Sequence, residues 1–201
     1  MKPLKTVRSL AVPLIVDNID TDIIIPSREM KSVSKTGLSD GLFAGWRYTA
    51  VGSREINPDF VLNDAKYTDA EILLAGDNMG CGSSREHAAW ALAEYGFRVV
   101  IARSFNPIFR GNCIRNGILP VKLSPEPIAK VSGPVTVNLE AMTITSEAGD
   151  SWNFELETEA REMLLEGLDP IDLTLKRAAD IAAFREADRV RRPWIYNLKA
   201  G

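Results

Sequence analysis

Residues 71–123 decide the fold, and they read EILLAGDNMGCGSSREHAAWALAEYGFRVVIARSFNPIFRGNCIRNGILPVKL. Short aliphatic runs predict buried strands at 71–75, 98–102 and 118–123. Between the strands, apolar residues at helical spacing and a following glycine predict helices over 83–95 and 105–116. Strands that alternate with helices in this order form right-handed crossovers, so the segment predicts parallel strands at the centre of an α/β domain.

The flanking sequence adds elements of other kinds. Leu10 to Val16 predicts another buried strand, in which Pro13 indicates an edge or a bulge. Residues 27–70 have recurrent glycines and no clear period, which predicts short helical turns and at least one mobile loop. Alternating runs predict an antiparallel meander at 135–139, 142–145 and 152–156. Helices are expected at about 158–166 and 173–187.

These elements predict a single α/β domain with a mixed, partly parallel sheet flanked by helices. The chain has 201 residues, a length that is usual for one domain. We expect its core to span about residues 10–187 and residues 188–201 to form a C-terminal arm.

Composition excludes several classes of function. With a formal net charge of −3, the chain has no basic excess to bind a phosphate backbone, so we expect no nucleic-acid partner. Its two cysteines, Cys81 and Cys113, predict free thiols in a reducing compartment. The apolar run near the N-terminus is interrupted by Pro13 and is too short for a membrane span. We therefore expect a cytoplasmic protein with no membrane partner.

The turn that follows residues 71–75 carries the strongest chemical signal. Gly76 to His87 runs from a strand through a glycine-rich turn toward a helix, where free N–H groups favour an anion. Arg85 can bind a carboxylate through two parallel hydrogen bonds. No lysine precedes Ser83, as a phosphate loop requires, and the three-glycine spacing of dinucleotide sites is absent. The turn predicts a site for a small carboxylate, with a positioned serine.

Other interpretations of the same residues stay open. Ser83-Ser-Arg-Glu86 also matches a capping box, in which both side chains only stabilise a helix start. A Cys81–His87 nucleophile pair has no residue placed to orient His87, which we interpret as a packing residue. Two distant cysteines and one histidine form no metal pattern, so we expect no metal site on this chain. Turn formation and capping explain an acidic run at Asp17, Asp20 and Asp22.

Several blocks resemble a known family. Three blocks resemble the swivelling small domain of the aconitase superfamily, and they lie at Gly80–Ala88, Ala102–Phe105 and Asn116–Pro120. Three further blocks resemble a narrower family, the small subunits of 3-isopropylmalate dehydratases, and they lie at Asp20–Pro26, Asn57–Asn63 and Gly167–Asp169. The Gly-Ser-Ser-Arg-Glu-His core at residues 82–87 is the most specific part of a resemblance that runs from about residue 12 to 187.

The resemblance implies a subunit of a hydro-lyase. Such enzymes isomerise 2-isopropylmalate to 3-isopropylmalate in leucine biosynthesis, by removing water and adding it back at the neighbouring carbon. A [4Fe–4S] cluster is then expected on a separate large subunit, and this chain binds no cofactor itself. The expected assembly is a heterodimer or a higher heteromer, and the chain is expected to be inactive alone.

The resemblance also assigns roles to single residues. Ser83 falls at the serine that abstracts a proton, and Ser84 and Arg85 fall at positions that bind a substrate carboxylate. Thr21 and Asp22 lie on a strand-end turn that approaches the site in relatives, so we expect them to contact the small dicarboxylate substrate.

Substrate choice in the family depends on a loop that falls at about Met30 to Gly45 here. Arg47, two positions after this loop, is expected to reach the second carboxylate of the substrate. An isopropyl group is expected to contact the apolar residues Val33, Leu38, Leu42 and Phe43. Homoaconitate, citramalate or dimethylmalate as substrate stays open, and so does a non-catalytic binding module in which Ser83 only caps a helix.

Overall fold

The computed structural model describes residues 1–30, 34–131 and 133–196. Seven strands form one curled mixed sheet in the order β4-β3-β2-β1-β5-β6-β7. The strands are β1 Thr6–Leu14, β2 Ile72–Ala75, β3 Val99–Ala102, β4 Leu119–Lys122, β5 Pro134–Asn138, β6 Thr143–Ser146 and β7 Ser151–Asn153.

Helices flank this sheet and close the chain. The α-helices are α1 Thr21–Ile24, α2 Ala44–Arg47, α3 His87–Tyr95, α4 Pro107–Arg115, α5 Pro125–Lys130, α6 Thr158–Glu166, α7 Pro170–Leu175, α8 Ala178–Arg191 and α9 Pro193–Tyr196. Short 3-10 turns lie at Ser27–Glu29, Ser39–Gly41, Val61–Asn63 and Ala65–Tyr67. These turns confirm the short helical segments that were expected in residues 27–70, and part of the expected mobile loop, residues 31–33, lies outside the described residues.

Strand β1 is where the sheet changes character. Its second half, from Ala11 to Leu14, pairs in parallel with β2, whereas its first half, from Thr6 to Leu10, pairs antiparallel with β5. Pro13 lies in the half that β5 does not pair with, so its missing N–H leaves no gap in that ladder. This arrangement agrees with the local edge that the proline predicted.

The parallel half of the sheet creates the edge on which the site lies. The β2–β3 and β3–β4 pairs are also parallel, as the alternation of strands and helices predicted. Four carboxyl ends therefore meet at one side of the sheet, at Leu14, Ala75, Ala102 and Lys122, and we call this side the carboxyl edge. In open α/β sheets, ligands bind at this kind of edge.

Two apolar clusters cover the two faces of the sheet. Because successive side chains of a strand alternate, Leu73 packs with helices α3 and α4, whereas Ile72 and Leu74 pack on the face that α6 covers. Leu73 and Leu74 have no exposed surface. A fully buried leucine contributes about 1.5–3 kcal/mol, so β2 holds the strand-end loops on a rigid base.

The helices differ from the sequence-based expectation in their boundaries and in their number. The helix expected from residue 83 begins at His87, because the Arg85 N–H donates to the Ser83 carbonyl and forms a tight turn instead. The helix expected over 173–187 is two helices, and an Asp169 capping box with Pro170 begins the first one early. Helix α5, which begins at a proline, was not predicted.

The limits of the core also differ from the expected residues 10–187. Leu4 and Val7 are buried, so the core begins before residue 10. Helix α8 crosses residue 187 without a break, and most of its residues are exposed. None of the helices in the described ranges has both the length and the apolar character that crossing a membrane requires.

Candidate functional site at the carboxyl edge

The loop between β2 and α3, residues 76–86, is held against the loop that follows β1. Asp17 Oδ1 accepts a hydrogen bond from the Asp77 N–H at 2.7 Å, and the Asn18 N–H donates to the Asp77 carbonyl at 2.8 Å. Further along, the Gly80 N–H donates to the Ile19 carbonyl at 2.7 Å. We call residues 76–86 the site loop. These contacts fix its path relative to β1.

The loop that follows β3 supports the site loop from the other side. Ser104 accepts from the Met79 N–H through its carbonyl at 3.0 Å and from the Asn78 N–H through its hydroxyl at 2.7 Å. Arg103 lies 3.4 Å from Asp17 and so spans both neighbouring loops. The loops that follow β1 and β3 therefore form one hydrogen-bonded unit with the site loop between them, and such support keeps a site pre-organised.

Two glycines of the site loop are required by its geometry. Gly80 has φ +77°, and a Cβ atom there would lie 2.0 Å from Cγ of Phe109. Gly82 has φ +86°, and its Cβ would lie 3.3 Å from Cβ of Asp20. A side chain at Gly80 would thus be both strained and without space.

Ser83 does not cap a helix. Its side chain is exposed, and its hydroxyl makes no hydrogen bond within the described residues. Glu86, the other half of the proposed capping box, instead accepts from Asn116 Nδ2 at 2.8 Å, and this hydrogen bond lowers the pKa of Glu86. The capping-box interpretation is therefore wrong, and the Ser83 hydroxyl is free to contact a ligand.

Arg85 is held in place beside Ser83. One guanidinium nitrogen pairs with Asp22 Oδ1, across from the start of α1, and the Arg85 side chain is about one quarter exposed (26%). A single carboxylate contact leaves other N–H groups of the guanidinium available. Asp22 therefore orients Arg85 while leaving it able to bind a second carboxylate.

Thr21 positions the site loop from below. Only 1% of its surface is exposed. Its hydroxyl donates to the Ser83 carbonyl at 3.0 Å, and its N–H donates to the Cys81 carbonyl at 2.9 Å. The hydroxyl proton of Thr21 is thus engaged in the protein. Thr21 fixes the backbone that carries Ser83, whereas the sequence had suggested a direct contact with substrate.

Arg47 is not brought to this group of residues. Its Nη1 donates to the Ser39 carbonyl at 2.8 Å, and its guanidinium stacks 4.9 Å from the ring centroid of Tyr95. Tyr95 ends α3, about 12 Å along the helix from His87 at the rise of an α-helix. Arg47 thus lies toward the far end of α3 from the site loop.

Three apolar side chains of the loop that was expected to choose the substrate are packed inside the protein. Leu38 is 2% exposed and Leu42 and Phe43 have no exposed surface, so none of the three faces a ligand in this structure. Val33 lies outside the described residues. These three apolar side chains were expected to contact substrate, but they pack in the core instead, because burial removes their apolar surface from water.

Sequence reasoning missed Glu94, which anchors that same loop. Its carboxylate accepts N–H bonds from Gly37 at 2.6 Å, Leu38 at 2.5 Å and Ser39 at 2.9 Å. Partial burial raises the pKa of Glu94, but these three bonds outweigh it and the net pKa is lowered. Nothing in the local sequence marks this contact, since the partners are more than 50 positions apart.

The remaining polar candidates have structural surroundings. The His87 ring packs on Trp90 with centroids 4.6 Å apart, which agrees with a packing residue. Cys113 is fully buried, and that burial raises the pKa of its thiol. The described ranges contain no group of three His, Cys, Asp or Glu side chains that could hold a metal ion. The donor set in these ranges therefore does not fit an iron–sulfur cluster, which needs several thiolates.

Taken together, the site loop offers donors to an anion and a free hydroxyl. The N–H groups of Gly82, Ser83 and Ser84 donate to no group in the described part of the chain, and Ser84 is exposed beside Ser83. With the Arg85 guanidinium they form a positive surface at the carboxyl edge. Such a group can bind a carboxylate and stabilise negative charge on a neighbouring oxygen.

This mixed sheet with the site loop at its carboxyl edge belongs to a domain of the aconitase type, since a family profile described as the aconitase C-terminal domain matches residues 1–126. The 3-isopropylmalate dehydratase small subunit of Cupriavidus necator is 55% identical over 98% of this chain and 99% of its own length. That of Allorhizobium ampelinum is 48% identical over 96% of this chain and its full length.

A solved structure agrees with these relatives. The crystal structure of 3-isopropylmalate dehydratase from Methanocaldococcus jannaschii superposes with a TM-score of 0.68 at 26% identity, covering 89% of this chain and 98% of that one. The chain belongs to the family of 3-isopropylmalate dehydratase small subunits.

Proposed function

We propose that this chain is the small subunit of a 3-isopropylmalate dehydratase, a hydro-lyase that isomerises 2-isopropylmalate to 3-isopropylmalate in leucine biosynthesis. The observation that carries the proposal is the pair of side chains on the site loop. Ser83 has a free hydroxyl, and Arg85, two positions further on, is oriented by Asp22. A base beside a carboxylate-binding cation is what proton removal next to a carboxylate requires.

In this proposal Ser83 moves the proton. Arg85 and the hydroxyl and N–H of Ser84 bind one substrate carboxylate. Ser83 Oγ, as an alkoxide, takes the proton from the carbon that bears this carboxylate, and the electron pair left behind forms a carbon–carbon double bond as hydroxide leaves the neighbouring carbon. A serine is a weak base, so the alkoxide depends on the adjacent guanidinium and the free N–H groups. Returning water to the other carbon completes the isomerisation.

The proposal assigns the rest of the site to a large subunit. The name small subunit in the relatives implies such a partner. The [4Fe–4S] cluster is proposed on that partner, since the described residues here do not supply its ligands. Assembly as a heterodimer or a higher heteromer is part of the same proposal, and so is a small dicarboxylate substrate. A cytoplasmic location and the absence of nucleic-acid and membrane partners stay predictions from the sequence.

Variants of single residues test the proposal in the reconstituted complex. The chain is mixed with its large subunit, whose cluster is rebuilt anaerobically, and turnover of 2-isopropylmalate is measured. Ser83→Ala should lower kcat by about two to four powers of ten while the complex still assembles. Arg85→Lys should raise KM, because bidentate binding of a carboxylate is lost. Ser151→Ala, an exposed serine on β7, is the matched control and should leave turnover unchanged.

The outcomes separate the parts of the proposal. Normal turnover of the assembled Ser83→Ala complex would show that Ser83 is not the base. Full activity of the chain without any partner would overturn the subunit assignment. Preference for homoaconitate, citramalate or dimethylmalate over 2-isopropylmalate would change the substrate and leave the role of Ser83 standing.

A further inference from the structure

The last three helices leave an apolar surface without a partner. Seven of the thirteen exposed large hydrophobic side chains of the described residues lie in α7, α8 and α9, at Ile171, Leu175, Ile181, Phe184, Val190, Trp194 and Ile195. Phe184 is 65% exposed, Val190 80% and Trp194 66%. We call residues 170–196 the C-terminal extension. A concentration of large exposed apolar side chains on three consecutive helices marks an interaction surface.

The extension is an ordered structure and not a loose tail. Asp188, which is buried, accepts hydrogen bonds from Arg192 Nε at 2.6 Å and from the Tyr196 hydroxyl at 3.0 Å. These contacts fold α9 back onto the end of α8, and the hydrogen bond from Arg192 lowers the pKa of Asp188. A surface that is formed before binding loses little conformational entropy when a partner docks.

The extension runs toward the carboxyl edge. Lys176, before α8, lies 2.5 Å from Glu162 and 2.8 Å from Glu166 in the second half of α6. The groove between α6 and the extension has a volume of about 840 Å³, and its lining includes Phe184 as well as Thr158 at the start of α6. Helix α8 thus leads back from the end of α6 toward its start.

The start of α6 lies on the same side of the sheet as the site. Glu157, just before α6, accepts two hydrogen bonds from Arg110, at 3.0 and 2.7 Å. Arg110 belongs to the beginning of α4, and Asn106, which caps α4, donates its N–H to Met79 of the site loop at 2.9 Å. Since α8 has 14 residues and α6 has nine, α8 is about 21 Å long against about 13 Å. Because Phe184 in the middle of α8 lines the groove together with Thr158, the first residue of α6, the second half of α8 continues beyond the end of α6 at which Glu157 lies.

The extension also differs in charge from the rest of the chain. Residues 170–196 contain six basic and four acidic side chains, whereas residues 1–169 contain 17 basic and 23 acidic ones. A basic, apolar surface on an acidic protein complements an apolar groove bordered by carboxylates.

From these observations we propose that the C-terminal extension is a docking surface for the large subunit, which would present such an acid-bordered apolar groove. The inference rests on the proposed function, because it takes the partner from there. The occupant follows from the position of the extension: a partner that covers the site loop at the carboxyl edge also meets α8 and α9. The Cupriavidus relative matches 98% of this chain, so α8 lies within the stretch that the two proteins share.

Matched single variants test this surface in the full chain. Val190→Asp and Phe184→Asp place a charge on the extension, and Val51→Asp places the same charge on an equally exposed valine (78%) far along the chain, in the turn after α2. Each variant is titrated against the purified, cluster-loaded large subunit, and Kd is measured by interferometry together with the concentration that gives half-maximal turnover. Both extension variants should raise Kd at least tenfold, and Val51→Asp less than twofold. All three should keep the thermal midpoint of the wild-type chain, since the altered side chains are exposed.

Three outcomes would contradict different parts of the argument. If wild-type chain does not bind the large subunit, the proposed function itself is overturned. If wild type binds and Val190→Asp and Phe184→Asp bind as tightly as Val51→Asp, the docking surface is overturned and the proposed function stands. If sedimentation shows a dimer of the wild-type chain that these variants split, with unchanged affinity for the large subunit, the extension is an interface between two copies and the proposal is wrong.

Discussion

Replacing Gly80 by alanine should disrupt the candidate site through one steric contact. Gly80 has φ +77°, and the added Cβ would lie 2.0 Å from Cγ and 2.2 Å from Cδ1 of Phe109. Phe109 is 2% exposed and packed in the core, so its ring has no space to retreat into. Gly52 provides a matched control, since its φ is +79° and nothing lies within 4 Å of its Cβ position.

The two substitutions share one cost and differ in another. A left-handed backbone costs alanine about 1–2 kcal/mol at either position. Overpacking against Phe109 adds about 1–3 kcal/mol at Gly80 only. We therefore expect Gly80→Ala to lower the free energy of unfolding by about 2–5 kcal/mol. The difference between the two variants should equal the overpacking cost of about 1–3 kcal/mol.

Urea unfolding of the purified chain measures these free energies, with the transition midpoint compared at equal slope. In the reconstituted complex Gly80→Ala should also lower turnover about 100-fold, because Ser83 lies three positions further along the same loop and a 1 Å displacement of a catalytic group has that effect. Equal stabilities of Gly80→Ala and Gly52→Ala, within about 0.5 kcal/mol, would refute the contact with Phe109 as the reason for this glycine.

Two further predictions concern Thr21, which holds the backbone of the site loop, and Glu94, which anchors residues 37–39. Thr21→Val removes the hydroxyl that donates to the Ser83 carbonyl, so it should cost about 0.5–1.5 kcal/mol in urea unfolding and lower kcat with little change in KM; a change in KM alone would instead indicate that Thr21 binds substrate. Glu94→Gln should destabilise the chain at neutral pH, because the lowered pKa of Glu94 means that its carboxylate stabilises the fold above the ordinary value of 4.5. This stabilisation is lost as pH falls through the lowered pKa, so the Tm difference from wild type should shrink below about pH 4.5; a difference that is constant with pH would contradict the role of the charge.

Local patterns predicted much of the architecture. The strands at 71–75, 98–102 and 118–123 and the crossovers between them could be expected because aliphatic runs and helical spacing act over a few residues. The glycine-rich turn from Gly76 to His87 could be expected in the same way, since glycines after a strand favour a turn locally, and its binding of an anion stays a prediction. The predicted start of α3 was wrong, because a capping box and a tight turn at Ser83 use the same residue types.

Contacts between distant residues could not be predicted in this way. Arg47 was expected at the substrate, yet Tyr95 and the Ser39 carbonyl hold it elsewhere. Leu38 and its apolar neighbours were expected to face a ligand, yet the core takes them up because burying apolar surface is more favourable than leaving it in water. Glu94 gave no signal at all, since its partners are backbone N–H groups that any sequence carries.

The sequence by itself determined that this chain forms a mixed α/β sheet with a serine–arginine turn after its second strand. Only the tertiary structure decided that Asp22 orients Arg85, that Thr21 holds the backbone of Ser83, and that the C-terminal extension stands exposed. The physical reason is range: propensity and periodicity act within one turn or strand. A hydrogen bond between residues 62 positions apart, such as that from Thr21 to Ser83, exists only once the strands have paired and brought their carboxyl ends together.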